Sequence, residues 1–228
     1  MLFNILYTAN SAEERFVLIC AVLLAVLIAI VMHELAHGYV ALRQGDYTAK
    51  MQGRLTLNPF KHFDLLGFAM MLFAGFGWAK PVPINPYNFK KYRKGLFLVS
   101  IAGVVTNIIL ALIFFLIFVF VTPLFASNSL IYLFLFYFSL YSVSLNLSLA
   151  AFNLLPVFPL DGFRIIESFT RPYNKFCTFM RRYGTYIFFG LVALSYVASF
   201  LNLPWLDFIS IYTSSIKNFI LNLFYLIV

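Results

Sequence analysis

Long apolar stretches separated by short polar ones dominate the chain. The first, residues 16–40, is long enough to cross a bilayer at about 1.5 Å of rise per residue. Comparable stretches follow at 95–121 and 129–155, and a closely spaced pair occupies 184–203 and 207–228. The pattern predicts an all-α polytopic membrane protein with about five transmembrane helices.

Two shorter stretches depart from this pattern. Residues 46–58, DYTAKMQGRLTLN, alternate polar and apolar positions, which predicts a small β-strand element after the first helix. The fourteen residues of 65–78 are apolar but too few to span, which favours a re-entrant or interfacial segment. We expect a single domain over 1–228, with a core at 16–170 and peripheral helices at 184–228.

Composition and charge support the membrane assignment. Of the 228 residues, 63% are hydrophobic and 11% are charged, and the mean hydropathy is +0.92. Fourteen of the sixteen Lys and Arg residues lie within 43–94 and 164–182, between apolar stretches. The positive-inside rule explains this distribution better than nucleic-acid binding does, so both stretches are expected on the cytoplasmic side.

Residues 31–40, VMHELAHGYV, place two histidines and a glutamate at the end of the first predicted span. His33 and His37 are four residues apart, so on a helix they share one face and can hold one metal ion. Glu34 is close enough to act on a water at that ion. This HExxH spacing is typical of zinc peptidases, in which the glutamate is the general base. The alternative is a solvated helix end whose histidines act as caps.

A catalytic zinc ion needs a third protein ligand. Among the acidic residues, Asp161 alone follows a predicted span on the same side of the membrane, within LPVFPLDG at 155–162, where prolines interrupt the helix. The residues leave two readings of Asp161 open, a metal ligand or the cap of the next helix. His62, the third histidine, is expected to have a structural role.

Several blocks together resemble the site-2 proteases, which are intramembrane zinc metalloproteases. HELAH occurs with NLLPVFPLDG (153–162), and three further blocks look like the compact bacterial branch without a PDZ domain: GRLTLNPFKHFDLLG (53–67), GWAKPVPINPYNF (77–89) and SIAGVVTNIILA (100–111). The resemblance covers about residues 16–170.

The resemblance implies one Zn²⁺ per chain with His33, His37 and Asp161 as ligands and Glu34 as the catalytic base. It also implies a role near the substrate or the oxyanion for Asn153. The implied activity is cleavage of peptide bonds in or near transmembrane segments of membrane proteins, in regulated intramembrane proteolysis or in clearance of signal-peptide remnants. The implied location is a bacterial inner membrane, in contact with its lipids. The expected cytoplasmic position of the basic stretches predicts that the active site lies toward the cytoplasm.

Two other function classes compete with this interpretation. A metal-ion transporter would need further ligands along a path or a repeated half-site, and an inactive scaffold would have a broken ligand set. The sequence shows neither feature. For the peptidase, we expect an extended substrate segment to add to the strand predicted at 46–58; the oligomeric state stays open.

Overall fold

A computed structural model describes residues 11–62, 64–67, 70, 77, 79–123, 129–171 and 174–227. The described residues form α-helices joined by loops and short 3₁₀ turns. The helices are α1 (Ala12–Gln44), α2 (Thr48–Met51), α3 (Tyr92–Val121), α4 (Leu130–Asn153), α5 (Asp161–Phe169), α6 (Lys175–Phe200) and α7 (Phe208–Tyr225).

Helix α1 has clear end signals. The Ser11 side chain accepts a hydrogen bond from the backbone N–H of Glu14 at 3.0 Å and caps the first turn. At the other end, Gly45 adopts a φ of 106°, and its N–H bonds to the carbonyls of Ala41 and Leu42. Glycine tolerates this left-handed conformation, so α1 stops there after 33 residues.

One stripe of α1 makes the centre of the bundle. Ala21, Ala25 and Ala29 are fully buried, and the same stripe continues to His33 and His37. Small side chains let neighbouring helices approach closely. Helices α3 and α4 pack against this stripe and against each other, α5 packs on α3, and α7 packs on α4. The face that forms the core is therefore also the face that carries both histidines.

Among the described residues, four helices are long and apolar enough to cross a membrane: α1, α3, α4 and α6. The fifth predicted span corresponds to α7, which is helical over 18 residues but does not reach that level of hydropathy. Its sequence contains Thr213, Ser214, Ser215 and Lys217, and these polar side chains lower the average. A multi-pass helical protein is confirmed, whereas five spans are not.

The β-strand predicted at 46–58 is wrong, because these residues form the short helix α2 and turns. The Asp46 carboxylate accepts hydrogen bonds from the N–H and hydroxyl of Thr48, which starts a helical turn in place of a strand. Gly53 then takes a φ of 61°. Ala49 is buried, but Met51 and Leu57 are 85% and 69% exposed, so the alternation does not form one continuous buried face. Strand addition at 46–58 therefore has no basis in the fold.

Most of the re-entrant segment expected at 65–78 lies outside the described residues, as does most of the connection at 122–128.

Candidate metal centre

Three predicted ligands lie together inside the helix bundle. His33 and His37 project from the second half of α1, and Asp161 is the first residue of α5. Their side chains are almost completely buried. Within the described part of the chain, they are the one group of three metal-binding side chains whose donor atoms lie within 4.8 Å of one another.

The donor atoms face one another at short range. The two Nε2 atoms are 3.0 Å apart. Asp161 Oδ2 lies 3.1 Å from Nε2 of His37 and 3.4 Å from Nε2 of His33. Donors on a tetrahedral zinc ion with bonds of 2.0–2.1 Å are separated by about 3.3 Å. The spacing of the three atoms therefore fits a single zinc ion.

A chain of amide hydrogen bonds determines which nitrogen of His33 is available. Asn146 Nδ2 donates to the Ser142 carbonyl at 2.8 Å, so its Oδ1 receives the amide of Asn107, also at 2.8 Å. The same amide lies 3.3 Å from the carbonyl of Ala29. Asn107 Oδ1 is thus left to accept from Nδ1 of His33 at 2.6 Å. With its proton on Nδ1, His33 presents a lone pair on Nε2.

His37 is oriented in the same manner by the backbone. Its Nδ1 lies 2.6 Å from the carbonyl oxygen of Val99, which can only accept, so Nδ1 carries the proton. Two Nε2 lone pairs and a carboxylate oxygen then converge on one point. Such an arrangement is repulsive without a positive charge between the donors, which a proton or a metal cation supplies.

Gly103 of α3 leaves room for both imidazoles. A Cβ atom at this position would lie 2.4 Å from Cε1 of His33 and 2.5 Å from Nε2 of His37. Any larger residue would therefore push the rings away from their present positions. The glycine is a space requirement of the site rather than a turn signal.

The connection between α4 and α5 positions Asp161 next to the two histidines. Residues 154–160 turn back, and Gly162 packs so tightly that a Cβ atom would lie 2.3 Å from the carbonyl oxygen of Leu154. This packing fixes the start of α5 and with it the position of the Asp161 carboxylate. Its buried Oδ2 has no hydrogen-bond partner among the described residues, which suits a metal ligand.

Glu34 lies on α1 beside the cluster and is held by a loop. Its Oε2 accepts a hydrogen bond of 2.8 Å from the backbone N–H of Val82. The loop around Val82 is itself fixed at two points. Arg54 Nη2 donates to the carbonyl of Lys80 at 2.8 Å, and the Asn85 N–H donates to Asp46 Oδ2 at 2.7 Å. The carboxylate of Glu34 therefore has one oxygen engaged by the loop.

A cavity of about 500 Å³ opens beside the cluster. His33, Glu34 and Asn153 line it, and its other walls come from α4, α6 and the turn before α5. The Asn153 side chain donates to the carbonyl of Leu149 at 3.0 Å, which leaves its Oδ1 toward other partners. The structure thus places the two predicted catalytic residues around one cavity, next to the predicted ligands.

The sequence reasoning assigned no role to Gly103, Asn107 or Asn146. A signal existed, because Gly103 and Asn107 are four residues apart and therefore share one face of an otherwise apolar helix. His62 lies outside the cluster. Its Nε2 bonds to the carbonyl of Thr56 at 2.8 Å, in agreement with the structural role expected for it.

The chain is similar to known proteins of one peptidase family. The family model described as Peptidase family M50 matches residues 125–195. Three similar proteins are each named as a putative zinc metalloprotease: YwhC of Bacillus subtilis, MJ0611 of Methanocaldococcus jannaschii and Rip2 of Mycobacterium tuberculosis. No solved structure matches the chain.

The extent of these similarities differs. YwhC is 50% identical over 155 residues, which are 65% of this chain and 68% of YwhC. MJ0611 is 29% identical over 149 residues, 64% of this chain and 68% of MJ0611. Rip2 is 31% identical over 156 residues, 64% of this chain and 56% of Rip2. The helical fold and these similarities are those of a membrane metallopeptidase. The chain belongs to peptidase family M50. The resemblance to site-2 proteases is confirmed.

Proposed function

We propose that His33, His37 and Asp161 hold one catalytic zinc ion and that Glu34 is the base of an intramembrane zinc metalloendopeptidase. The observation that carries the proposal is the convergence of three buried donor atoms, separated by 3.0–3.4 Å, beside a carboxylate and a cavity. Zinc metallopeptidase activity is also what family membership and the names of the relatives support.

Zinc bound by these ligands would polarise the scissile carbonyl and make a bound water more acidic. The protein's contribution is to fix the ligands. Asn107 and the Val99 carbonyl keep the protons of His33 and His37 on Nδ1, so each Nε2 is free to bind. Asp161 would be the third ligand and would add a negative charge.

Glu34 moves the proton. The Val82 N–H engages Oε2, so Oε1 is the oxygen that takes a proton from the attacking water and passes it to the leaving amine. A charged acceptor held by a backbone donor keeps its orientation through both transfers. Asn153, on the opposite wall of the cavity, is placed to donate a hydrogen bond to the substrate carbonyl once its amide leaves Leu149.

The apolar lining of the cavity supports a membrane-protein substrate. Its walls are largely apolar, with Leu149 and Phe152 from α4 and Phe188 and Phe189 from α6. These side chains suit the apolar residues of a transmembrane segment, with its polar backbone directed toward the cluster. The substrates are therefore membrane proteins cut within or near a transmembrane segment, either to release a regulator or to remove a signal-peptide remnant.

The charge distribution supports an orientation. The basic stretch 43–94 begins at the end of α1 that carries His33 and His37, and the stretch 164–182 begins three residues after Asp161. By the positive-inside rule these stretches are cytoplasmic, which puts the active site toward the cytoplasmic side of a bacterial cell membrane. The alternatives, a metal-ion transporter and an inactive scaffold, are not favoured by membership of a peptidase family.

Zinc content of the purified protein, measured by elemental analysis, tests the assignment. We expect one zinc per chain in the wild type and in Glu34→Gln, and a loss of zinc in His33→Ala and Asp161→Asn. Asp64→Asn is the matched control, because Asp64 is a carboxylate outside the cluster whose Oδ1 accepts a local hydrogen bond from Gly67. Cleavage of single-span membrane proteins should be lost in Glu34→Gln.

Three results would contradict the proposal. Zinc retained in Asp161→Asn would show that another residue is the third ligand. Cleavage retained in Glu34→Gln, at unchanged zinc content, would remove Glu34 from the chemistry. Absence of zinc from well-folded wild-type protein would favour the scaffold.

A further inference from the structure

A second cavity, of about 300 Å³, lies away from the metal centre. It is bounded by the start of α3, the end of α5 and the first turns of α6. Three arginines line it, and each comes from a different segment: Arg93 from α3, Arg171 from the residues after α5, and Arg181 from α6. The hydroxyl-bearing side chains of Tyr92 and Thr178 line the same space.

The charge in this cavity is only partly compensated. Arg181 is paired with Glu167, whose Oε1 lies 2.6 Å from Nε and 2.5 Å from Nη2 of the arginine. All eight acidic residues of the chain are described, and none makes an ion pair with Arg93 or Arg171. Three positive charges and one negative charge leave a net charge of +2 around the cavity.

The positive-inside rule accounts for basic residues in these loops but not for their convergence. That rule requires only that Lys and Arg be present on the cytoplasmic side, where they can point outward into water. Here three exposed guanidinium groups from separate parts of the chain line one concave space, and Glu167 pairs with only one of them. A bound anion would compensate the remaining positive charge.

We infer that this cavity binds an anionic phosphate group, supplied either by the headgroup of an anionic lipid or by a free phosphate. Guanidinium groups present forked donors that match phosphate oxygens, and such charge-assisted hydrogen bonds are stronger than neutral ones. The cavity volume is at the lower end for small-ligand sites and accommodates a glycerophosphate headgroup. The cavity lies at the start of α3 and of α6, two helices long and apolar enough to span, and the ends of such helices meet the lipid headgroups.

The site has a structural connection to the metal centre through α5. Asp161 begins this nine-residue helix, and Glu167 lies six residues later, about 9 Å along the axis at 1.5 Å per residue. The far end of α5 is further held by the Phe169 ring, which packs against Phe97 with centroids 5.2 Å apart. Helix α5 begins with Asp161 and ends at the cavity. An anion in the cavity therefore stabilises the end of α5 opposite to Asp161. The inference goes beyond the proposed function and does not depend on zinc.

The test compares two charge-matched double variants of the full-length protein in detergent. R93Q/R171Q removes the two unpaired arginines of the cavity. K94Q/R182Q removes two neighbouring positive charges that do not line the cavity. Retention of phosphatidylglycerol, with phosphatidylcholine as the neutral probe, is measured by native mass spectrometry. A second measurement tests free phosphate as the ligand: the melting temperature is compared in inorganic phosphate and in chloride at equal ionic strength.

We expect one phosphatidylglycerol to be retained by the wild type and by K94Q/R182Q, and to bind R93Q/R171Q at least about tenfold more weakly. Stabilisation by inorganic phosphate alone, lost only in R93Q/R171Q, would identify free phosphate as the ligand and still support the site. An equal loss of phosphatidylglycerol binding in the two double variants would show only general electrostatic attraction and would overturn the inference. The inference would also be overturned if the wild type bound neither phosphatidylglycerol nor inorganic phosphate. Unchanged melting temperatures without ligand would show that both double variants are folded.

Discussion

Replacement of Gly103 by alanine is the smallest change that should disrupt the metal centre. The added methyl would lie 2.4 Å from Cε1 of His33, 2.5 Å from Nε2 of His37 and 2.6 Å from Nδ1 of His33. Ordinary contacts between such atoms begin at about 3.5 Å, so both imidazoles would have to move by about 1 Å. Neither ring can do so while it keeps the 2.6 Å hydrogen bond on its Nδ1.

The size of the effect follows from what a metal site tolerates. Ligand distances vary by about 0.2 Å in functional sites, and the displacement is about five times larger. We therefore expect zinc affinity to fall by about 100-fold, the upper end for changes to groups that orient metal ligands. Cleavage should fall at least as far, because a displacement of about 1 Å near the chemistry can by itself cost about 100-fold in rate.

Gly190→Ala is the matched control. Gly190 also lies in a long helix, α6, and a Cβ atom there would meet nothing within 4 Å. Both substitutions gain about 1 kcal/mol of helix propensity, but only the one at Gly103 adds an overpacking cost of about 1–3 kcal/mol. The assays are zinc affinity by chelator competition, thermal unfolding and cleavage of a single-span substrate. Wild-type zinc affinity in Gly103→Ala would refute the argument that α3 sets the imidazole positions.

Three further predictions concern groups that hold the site or its loop. Asn107→Leu removes the oxygen that receives the His33 Nδ1 proton, so zinc affinity measured by competition should fall about 10–100-fold; wild-type affinity would count against this role. Val82→Pro removes the N–H that donates to Glu34, so cleavage should slow by about tenfold or more at unchanged zinc content; full activity would show that the bond is dispensable. Burial raises the pKa of the Asp46 carboxyl, but hydrogen bonds from Thr48 and neighbouring amides lower its pKa overall. Its stabilising effect is therefore complete above the unfolded value of about 4 and is lost as pH falls through the lowered folded value. Melting temperatures of Asp46→Asn should vary less than those of the wild type between about pH 5 and pH 2, and parallel curves would contradict this.

The sequence predicts those features of the site that depend on local geometry. His33 and His37 share a face because they are four residues apart on a helix, whatever the rest of the chain does. Asp161 could be proposed because a carboxylate directly after an interrupted span is rare and expensive in a membrane. The roles of Gly103 and Asn107 depend on how α3 packs against α1, and no local pattern encodes the contact between helices so far apart along the chain.

The errors in the fold have physical causes as well. Alternation at 46–58 resembles a strand, but an Asp46 side chain that bonds to Thr48 starts a helical turn, and local hydrogen bonds of this kind override a weak periodicity. The last predicted span was inferred from apolar residues at 207–228. The structure does form a helix there, but Lys217 turns inward to donate to Ser144 of α4 at 2.8 Å. Helicity and the capacity to span a membrane are therefore separate properties of α7.

The environment of α1 explains how an apolar helix can carry two histidines and a glutamate. A buried polar group without a partner costs several kcal/mol in an apolar surrounding, so each such group needs a donor or acceptor from elsewhere. The Nδ1 atoms of His33 and His37 find acceptors on α3, and Glu34 finds a backbone donor in the loop at Val82. None of these partners exists in isolated α1. What remains unsatisfied after assembly is the pair of Nε2 lone pairs and one oxygen of Asp161, and these face a single point. The bundle thus supplies partners for both Nδ1 atoms and for one oxygen of Glu34, and the donor atoms it leaves facing one another define the proposed centre.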